Sequence, residues 1–200
     1  SYGDGFFETM SWRNVGGVVK PNIKVEYWKR HFKRIKAGCD LMNIRLPSEN
    51  DVLRQREKIL VRSFHAGMQD GILKLIITRG VGGRGYKFEN DMKPTIAFLT
   101  FPKSQPNRLV YENGVKIKFC KTKLYSHNRL HGLKHLNRLD SVMARSEWDN
   151  EFFEGIFLDE KDNLVEGTMT NIFFIKGQTL ITTPIDNSGI RGILRQVVME

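Results

Sequence analysis

The apolar residues of this chain come in short, strand-sized runs, among them Ile156–Leu158 and Ile172–Ile175, separated by turns and by stretches with helical spacing. This patterning constrains the fold more than any other feature. No run approaches the roughly 18 apolar residues of a membrane-spanning helix. The chain therefore has to bury its apolar surface between mixed layers of strands and helices. Phe6–Trp12 and Val15–Lys20 read as two strands around a turn at Asn14. Ile23–Cys39 reads as a helix. Val25, Trp28, Phe32 and Ile35 recur at three- and four-residue spacing, with Lys24, Lys29, Arg30, Lys33, Arg34 and Lys36 on the other face. Glu49–Phe64 reads as a second helix, with Ser48 as its N-cap and Asp51 three residues on. Gly71–Arg79 and Thr95–Phe101 read as paired strands joined by the glycine-rich stretch GVGGRGYKFENDMKP.

Pro102–Asn113 is polar and carries two prolines, which marks a boundary between units. Beyond it, Val115–Lys121 reads as a strand, Tyr125–Asn137 as a loop and Leu139–Asp149 as a helix. A meander follows over Gly155–Asp159, Asn163–Thr168, Asn171–Ile175 and Leu180–Thr183, with turns at Lys161–Asn163 and Lys176–Gly177. Ser188-Gly189 leads into a final helix. The 200 residues suffice for one ordinary domain or two small ones. The expectation is a mixed α+β fold in two domains: a smaller one over 1–102, a linker over 103–112 and a larger one over 113–200.

Lys and Arg number 32 against 22 Asp and Glu, a net charge of +10. Such a field favours anionic partners: nucleic acid, a membrane surface, or small phosphorylated and carboxylated molecules. No basic tail or low-complexity run accompanies it, which weighs against tail-type nucleic-acid binding. Cys39 and Cys120 form no Cys-x-x-Cys pair. That excludes a cysteine zinc site and a disulfide scaffold, and suits a reducing compartment. His127, His131 and His135 fall at four-residue intervals, but Gly132 argues against a helix there and no His-Glu-x-x-His pattern is present. No metal site is expected.

Taken singly, the polar candidates have ordinary readings beside the chemical ones. Lys134, in HGLKHLNRL, is a surface lysine or a reactive amine. Glu166, in LVEGTMTN, reads by itself as a carboxylate on an exposed strand face. Arg34, in HFKRI, belongs to a solvated basic face or turns inward to an anion, which its planar fork suits. Ser188–Gly192 opens the last helix, where backbone N–H groups and the helix dipole offer an anion site. The loop GVGGRGY, Gly80–Tyr86, looks like a phosphate cradle but lacks the Lys-Ser/Thr pair of a P-loop. It is otherwise a hairpin loop, or a lone RGG-like element, in which Arg84 and Tyr86 would face a pocket.

The order of these segments says more than any one of them. YGDGFFET, HFKRI, TRGVGGRGY, GLKHLNRL, VEGTMTNIFF and TP…SGIRG together resemble the class IV pyridoxal-phosphate enzymes of fold type IV, from Tyr2 to Arg195. That family includes branched-chain aminotransferases, D-amino acid aminotransferases and 4-amino-4-deoxychorismate lyase; TRGVGGRGY and GLKHLNRL look most like the lyase. The resemblance implies pyridoxal 5'-phosphate as cofactor, with Lys134 as the Schiff-base lysine and Glu166 as partner of the pyridine nitrogen. It implies Arg34 as a phosphate ligand, and the turn carrying Gly189, Ile190 and Arg191 as a second phosphate holder through backbone N–H groups. It places Asn171 beside the cofactor and makes Arg84, Tyr86 and Glu8 the candidates for meeting substrate.

Many branched-chain aminotransferases have tyrosine five positions after the lysine, where this chain has Leu139. Some lyases have threonine where it has Glu8, the form common among aminotransferases. The implied reaction is conversion of 4-amino-4-deoxychorismate to 4-aminobenzoate and pyruvate. The alternative is an aminotransferase acting on D- or branched-chain amino acids. A cytoplasmic homodimer acting on a small molecule goes with either, without a nucleic-acid or membrane partner. So does the expectation that the family's first strand and last part lie outside these 200 residues. A nucleic-acid-binding protein using Lys24–Lys36 and the RGYK stretch is the reading from another class, and it leaves Lys134 and Glu166 unexplained.

Overall fold

Alternation along one strand, β1 (Gly5–Asn14), sets the layers of the first unit. The structure is a computed structural model that describes residues 2–17, 21–89, 91–104, 108–126 and 129–200. Phe6, Glu8, Met10 and Trp12 are buried on one face of β1, while Phe7, Thr9 and Ser11 point to the other. β1 pairs antiparallel with β2 (Ile23–Val25) and β3 (Asp70–Thr78), and β3 with β4 (Thr95–Phe101), giving the order β2-β1-β3-β4. The register carries the buried stripe across the sheet, since Met10 opposes Leu73 and Leu73 opposes Thr100. Two helices cover that face: α1 (Trp28–Leu41), which lays Gly38 against the Phe6 ring, and α2 (Glu49–His65), which ties Ser63 Oγ to Thr100 Oγ1 at 2.7 Å.

Ser48 caps α2 as the sequence predicts, its hydroxyl accepting from the Asp51 N–H at 3.2 Å. α1 starts later than the periodicity suggests. Ile23–Val25 opposes Trp12–Asn14 as a strand, and the chain then turns through Tyr27 in the left-handed region (φ 51°). β-branched Ile23 and Val25 find ladder partners on β1, and this pairing outweighs their place in a helical pattern. The expected strand Val15–Lys20 falls partly on residues 18–20, outside those described.

A short helix, α3 (Arg108–Asn113), occupies part of the stretch read as a linker. β5 (Ile117–Phe119) then runs parallel to β6 (Glu154–Leu158), which pairs antiparallel with β7 (Leu164–Gly167). The helix between them, α4 (Leu139–Arg145), ends before the expected Asp149. Arg145 donates to the Trp148 and Asp149 carbonyls, and Glu147 leaves the helical path to accept the N–H groups of Lys121 and Thr122. Cys120, Leu124, Ala144, Trp148, Phe157, Val165 and Ile185 form the core of this unit. β8 (Phe173–Lys176) and β9 (Thr179–Thr182) make a separate hairpin that turns at Gly177 (φ 61°). The expected meander is therefore two pieces. The last helix, α5 (Ile193–Met199), has Gly192 as its N-cap and starts later than the expected Ser188-Gly189.

The two compact units are residues 1–105 with Lys134–Leu136, and residues 106–133 with 137–200. Residues 134–136, which the sequence assigns to the second domain, thus pack with the first. No helix among the described residues is long and apolar enough to cross a membrane.

Gly38→Ala tests the packing of α1 on β1. Alanine in a helix interior is worth about 1 kcal/mol over glycine. Its Cβ, however, would sit 2.7 Å from the Phe6 ring, which is itself fully buried. Overpacking a filled core costs about 1–3 kcal/mol, so after that gain the variant should lose up to about 2 kcal/mol in urea unfolding. A midpoint above that of wild type would show that α1 and β1 are not in contact here.

Candidate active site

Lys134 lies in a segment without helical periodicity, and backbone pairing fixes its place. The Phe7 N–H donates to the Lys134 carbonyl and the Leu136 N–H to the Gly5 carbonyl, each at 2.9 Å. Residues 134–136 therefore run antiparallel beside the start of β1, with His135 bridged to Phe6. The lysine is half-buried, and its Nζ stands 4.5 Å from the centroid of the Phe7 ring, on the sheet face away from α1 and α2. It is not a freely solvated surface residue.

The next side chain of β1 points the other way. Glu8 is 1% exposed; Oε1 accepts from Arg34 Nε at 2.7 Å and Oε2 from Arg34 Nη2 at 2.6 Å, with His31 Nδ1 2.6 Å from Oε2. Arg34 thus turns inward from α1 and grips a carboxylate with both arms of its fork. The direct substrate contact expected of Glu8 needs correction: the carboxylate is enclosed between Arg34 and His31, so it can act only through them. Burial raises the Glu8 pKa, but the hydrogen bonds and charges of His31 and Arg34 outweigh it and hold the carboxyl below its ordinary value. Sequence reasoning passes over His31. The available signal is its position one helical turn before Arg34, which puts both on one face.

A second carboxylate is held in the other unit. Glu166, on β7, is buried rather than displayed on an open strand face. Its Oε2 accepts from the Ile190 N–H at 2.9 Å and from Asn171 Nδ2 at 3.1 Å. Asn171 Nδ2 also donates to the Ile190 carbonyl at 2.9 Å, so one amide clips carboxylate and turn together. The turn is close-packed: a Cβ at Gly189 (φ 82°) would lie 3.1 Å from Glu166 Cδ, and one at Gly192 would lie 2.0 Å from Asn171 Oδ1. Glu166, Asn171, Gly189 and Ile190 therefore form one cluster. The backbone role expected of this turn changes. The Ile190 N–H is bonded to Glu166 and the Arg191 N–H to the Gly132 carbonyl at 3.0 Å, so neither is open to a phosphate. The Arg191 guanidinium reaches back to the Ile185 carbonyl.

Glu154 is the residue that sequence reasoning misses here. Buried at the start of β6, it accepts from the N–H groups of Gly155, Thr168 and Met169 at 2.9, 3.1 and 3.3 Å, and from the Thr168 and Thr170 hydroxyls. The turn it gathers delivers Asn171 and is why β7 does not run on into β8. Its only sequence signal is the TMT triplet, two hydroxyls in need of an acceptor.

Arg84 and Tyr86 sit on the exposed loop after β3, where the Tyr86 ring meets that of Tyr2 with centroids 5.0 Å apart. Neither joins the two clusters by a hydrogen bond among the described residues. His127 lies outside those residues, and among them no three His, Cys, Asp or Glu side chains group as metal ligands. Neither cysteine is primed as a nucleophile, because burial pushes the Cys39 thiol up to about 12 and the Cys120 thiol up to about 11.

The Glu8 pair carries a pH signature. A carboxyl whose folded pKa lies below its ordinary 4.5 contributes stability that is fully present above that value and lost as pH falls through the folded pKa. Glu8→Gln should cost roughly 3 kcal/mol in neutral buffer, the scale of removing one partner from a buried ion pair. The gap to wild type should narrow below pH 4.5. Urea unfolding in neutral and acid buffers measures it. A small gap at neutral pH, or one unchanged in acid, would show that Glu8 is not held as an ion pair.

Known proteins carry the same arrangement of segments. The family model for amino-transferase class IV matches residues 5–200. An aminodeoxychorismate lyase from Vibrio harveyi is 30% identical over 200 residues, covering 100% of this chain and 69% of that protein. The crystal structure of 4-amino-4-deoxychorismate lyase from Pseudomonas aeruginosa is similar with a TM-score of 0.81 at 34% identity, covering 99% of this chain and 68% of that one. A branched-chain amino acid aminotransferase from Escherichia coli also reaches 0.81, at 20% identity over 99% of this chain and 64% of that one, a likeness of fold. This chain spans about two thirds of the length of these relatives. With its motifs in family order and the family model matched from β1 through α5, the chain belongs to the class IV aminotransferase family and has the mixed α/β architecture of fold type IV.

Proposed function

We propose that this chain carries the pyridoxal-phosphate site of a lyase that converts 4-amino-4-deoxychorismate to 4-aminobenzoate and pyruvate. The observation that carries this reading is the likeness to the Pseudomonas lyase, at 34% identity over 99% of the chain. The residues present suit the cofactor. A half-buried lysine offers an amine to an aldehyde, a buried carboxylate held by two N–H donors suits a protonated ring nitrogen, and an inward-turned arginine suits a phosphate. The cofactor, when bound, supplies that aldehyde and a ring that draws electrons from the bond to be broken.

Each residue then has a task. Lys134 Nζ takes the proton from the carbon that bears the substrate nitrogen and returns it to the departing enolpyruvyl group, a base-then-acid role that needs only a short movement. Glu166 presents a fixed negative charge, oriented by Asn171 and the Ile190 N–H. Gly189 and Ile190 act through Glu166 rather than through open N–H groups, and Arg191 ties the turn to Gly132 and Ile185. Arg34 is the phosphate ligand of this reading, oriented by the Glu8 carboxylate that holds its Nε and Nη2. Arg84 and Tyr86 meet the substrate's carboxylates, and the net charge of +10 favours such an anion. Leu139, in place of a tyrosine, favours the lyase over a branched-chain aminotransferase. The reading includes a cytoplasmic homodimer.

Glu8 favours the second reading, an aminotransferase acting on D- or branched-chain amino acids. Measuring 4-aminobenzoate release and keto-acid exchange on one sample separates the two. Release without comparable exchange is expected; exchange without release gives the chain to the aminotransferases. Glu166→Gln removes the charge and keeps the shape, so turnover should fall about a hundredfold or more while cofactor occupancy changes less. Near-normal turnover would make Glu166 a structural carboxylate only.

A further inference from the structure

Arg79 follows β3 directly and is 7% exposed, an uncommon burial for a guanidinium. Nε and Nη2 donate to the two Asp4 oxygens at 2.6 and 3.0 Å, Nη1 to the Asn43 carbonyl at 3.1 Å, and Nη2 also to the Met42 carbonyl at 2.9 Å. The Arg79 N–H donates to the Asp4 carbonyl at 3.2 Å. These acceptors meet the cost of burying the charge. The face of the guanidinium is covered by the Phe88 ring, with its carbon 3.8 Å from the ring centroid.

This geometry brings both ends of the Gly80–Phe88 loop to one group. The near end is Arg79's own backbone, and the far end is Phe88. Gly80 (φ 100°) makes the sharp departure, where a Cβ would lie 2.0 Å from the Lys93 carbonyl oxygen. Residues 81–87 are exposed, and among the described residues no hydrogen bond ties their side chains down. Met92 lies beside Gly82 and the Tyr86 ring rests against Tyr2, which lies two residues before Asp4, the ion-pair partner of Arg79. One ion pair therefore sets the base of the loop and steadies the segment its tip rests on.

We propose that Arg79 is a positioning residue for substrate binding, holding the loop so that Arg84 and Tyr86 are presented in a single arrangement. This rests on the reading of that loop as the part that meets substrate. Arginine suits the task as lysine would not: a planar fork satisfies Asp4 and two carbonyls in one plane while leaving a face for Phe88. A loop held at so few points opens locally when one of them is lost, without global unfolding.

Trypsin cutting after Arg84 and Lys87, with the sites mapped by mass spectrometry, reads the loop directly. Two variants are compared with wild type: Arg79→Lys, and Phe88→Leu, which leaves the buried ion pair intact. Early cleavage at these two sites should rise about tenfold in both; in Phe88→Leu the unfolding midpoint and cleavage elsewhere stay put, whereas Arg79→Lys, which disturbs a buried ion pair, also lowers the midpoint. Substrate KM should rise about tenfold with kcat near wild type, since the loss is in binding rather than in the bond-breaking step. Wild-type cleavage rates in both variants would overturn the proposal. So would a rise at all sites alike with a lowered midpoint in Phe88→Leu, or a freed loop with unchanged KM. Absence of 4-aminobenzoate from wild type would sink the lyase reading instead; the cleavage comparison, and KM for keto-acid exchange, would still test Arg79.

Discussion

The site depends on the backbone pairing that docks Lys134–Leu136 against the first residues of β1. Without it, Lys134 would sit in an irregular segment with nothing to select one position for its amine. With it, adjacent residues of one strand serve the two sides of the sheet. Phe7 faces outward and carries Lys134 over its ring, while Glu8 faces inward and turns Arg34 from a solvated helix face into the core. The alternation of the strand fixes both the lysine and the arginine to the same backbone.

Buried charge is affordable here because each group is fully engaged. Glu8 meets Arg34 and His31; Glu154 collects three N–H groups and two hydroxyls; Arg79 meets Asp4 and two carbonyls. Burial of an ion pair is weak evidence for stability and better evidence for a defined geometry. In this family member the engaged charges lie beside the motifs: Glu8 within GDGFFET, Arg79 within TRGVGGRGY, and Glu154 holding the turn within VEGTMTN.

What the sequence made legible was local. The period of α2 and its Ser48 cap can be read because each rests on residues within one or two turns. The alternating strands β1, β3 and β4 can be read for the same reason. The failures are long-range. Ile23–Val25 fits a helical pattern and is a strand, because β1 offers it partners. The Glu8–Arg34 pair and the docking of Lys134 join residues far apart in the chain, and no spacing rule points to either. The turn at Gly189–Arg191 looks like an open anion site until Glu166 and Gly132 are seen to take its N–H groups. Lys134, Glu166 and Arg34 emerged as candidates from the order of the motifs, since singly each has an ordinary reading.

Reduction with borohydride after incubation of the protein with pyridoxal 5'-phosphate, followed by peptide mapping, tests the assignment of the site most directly. A single stable adduct on Lys134 is expected, in preference to the many exposed lysines of this basic chain, because its backbone is paired to β1 and its amine is half-buried over the Phe7 ring. An adduct on another lysine with Lys134 unmodified, or labelling spread evenly over the surface, would contradict it.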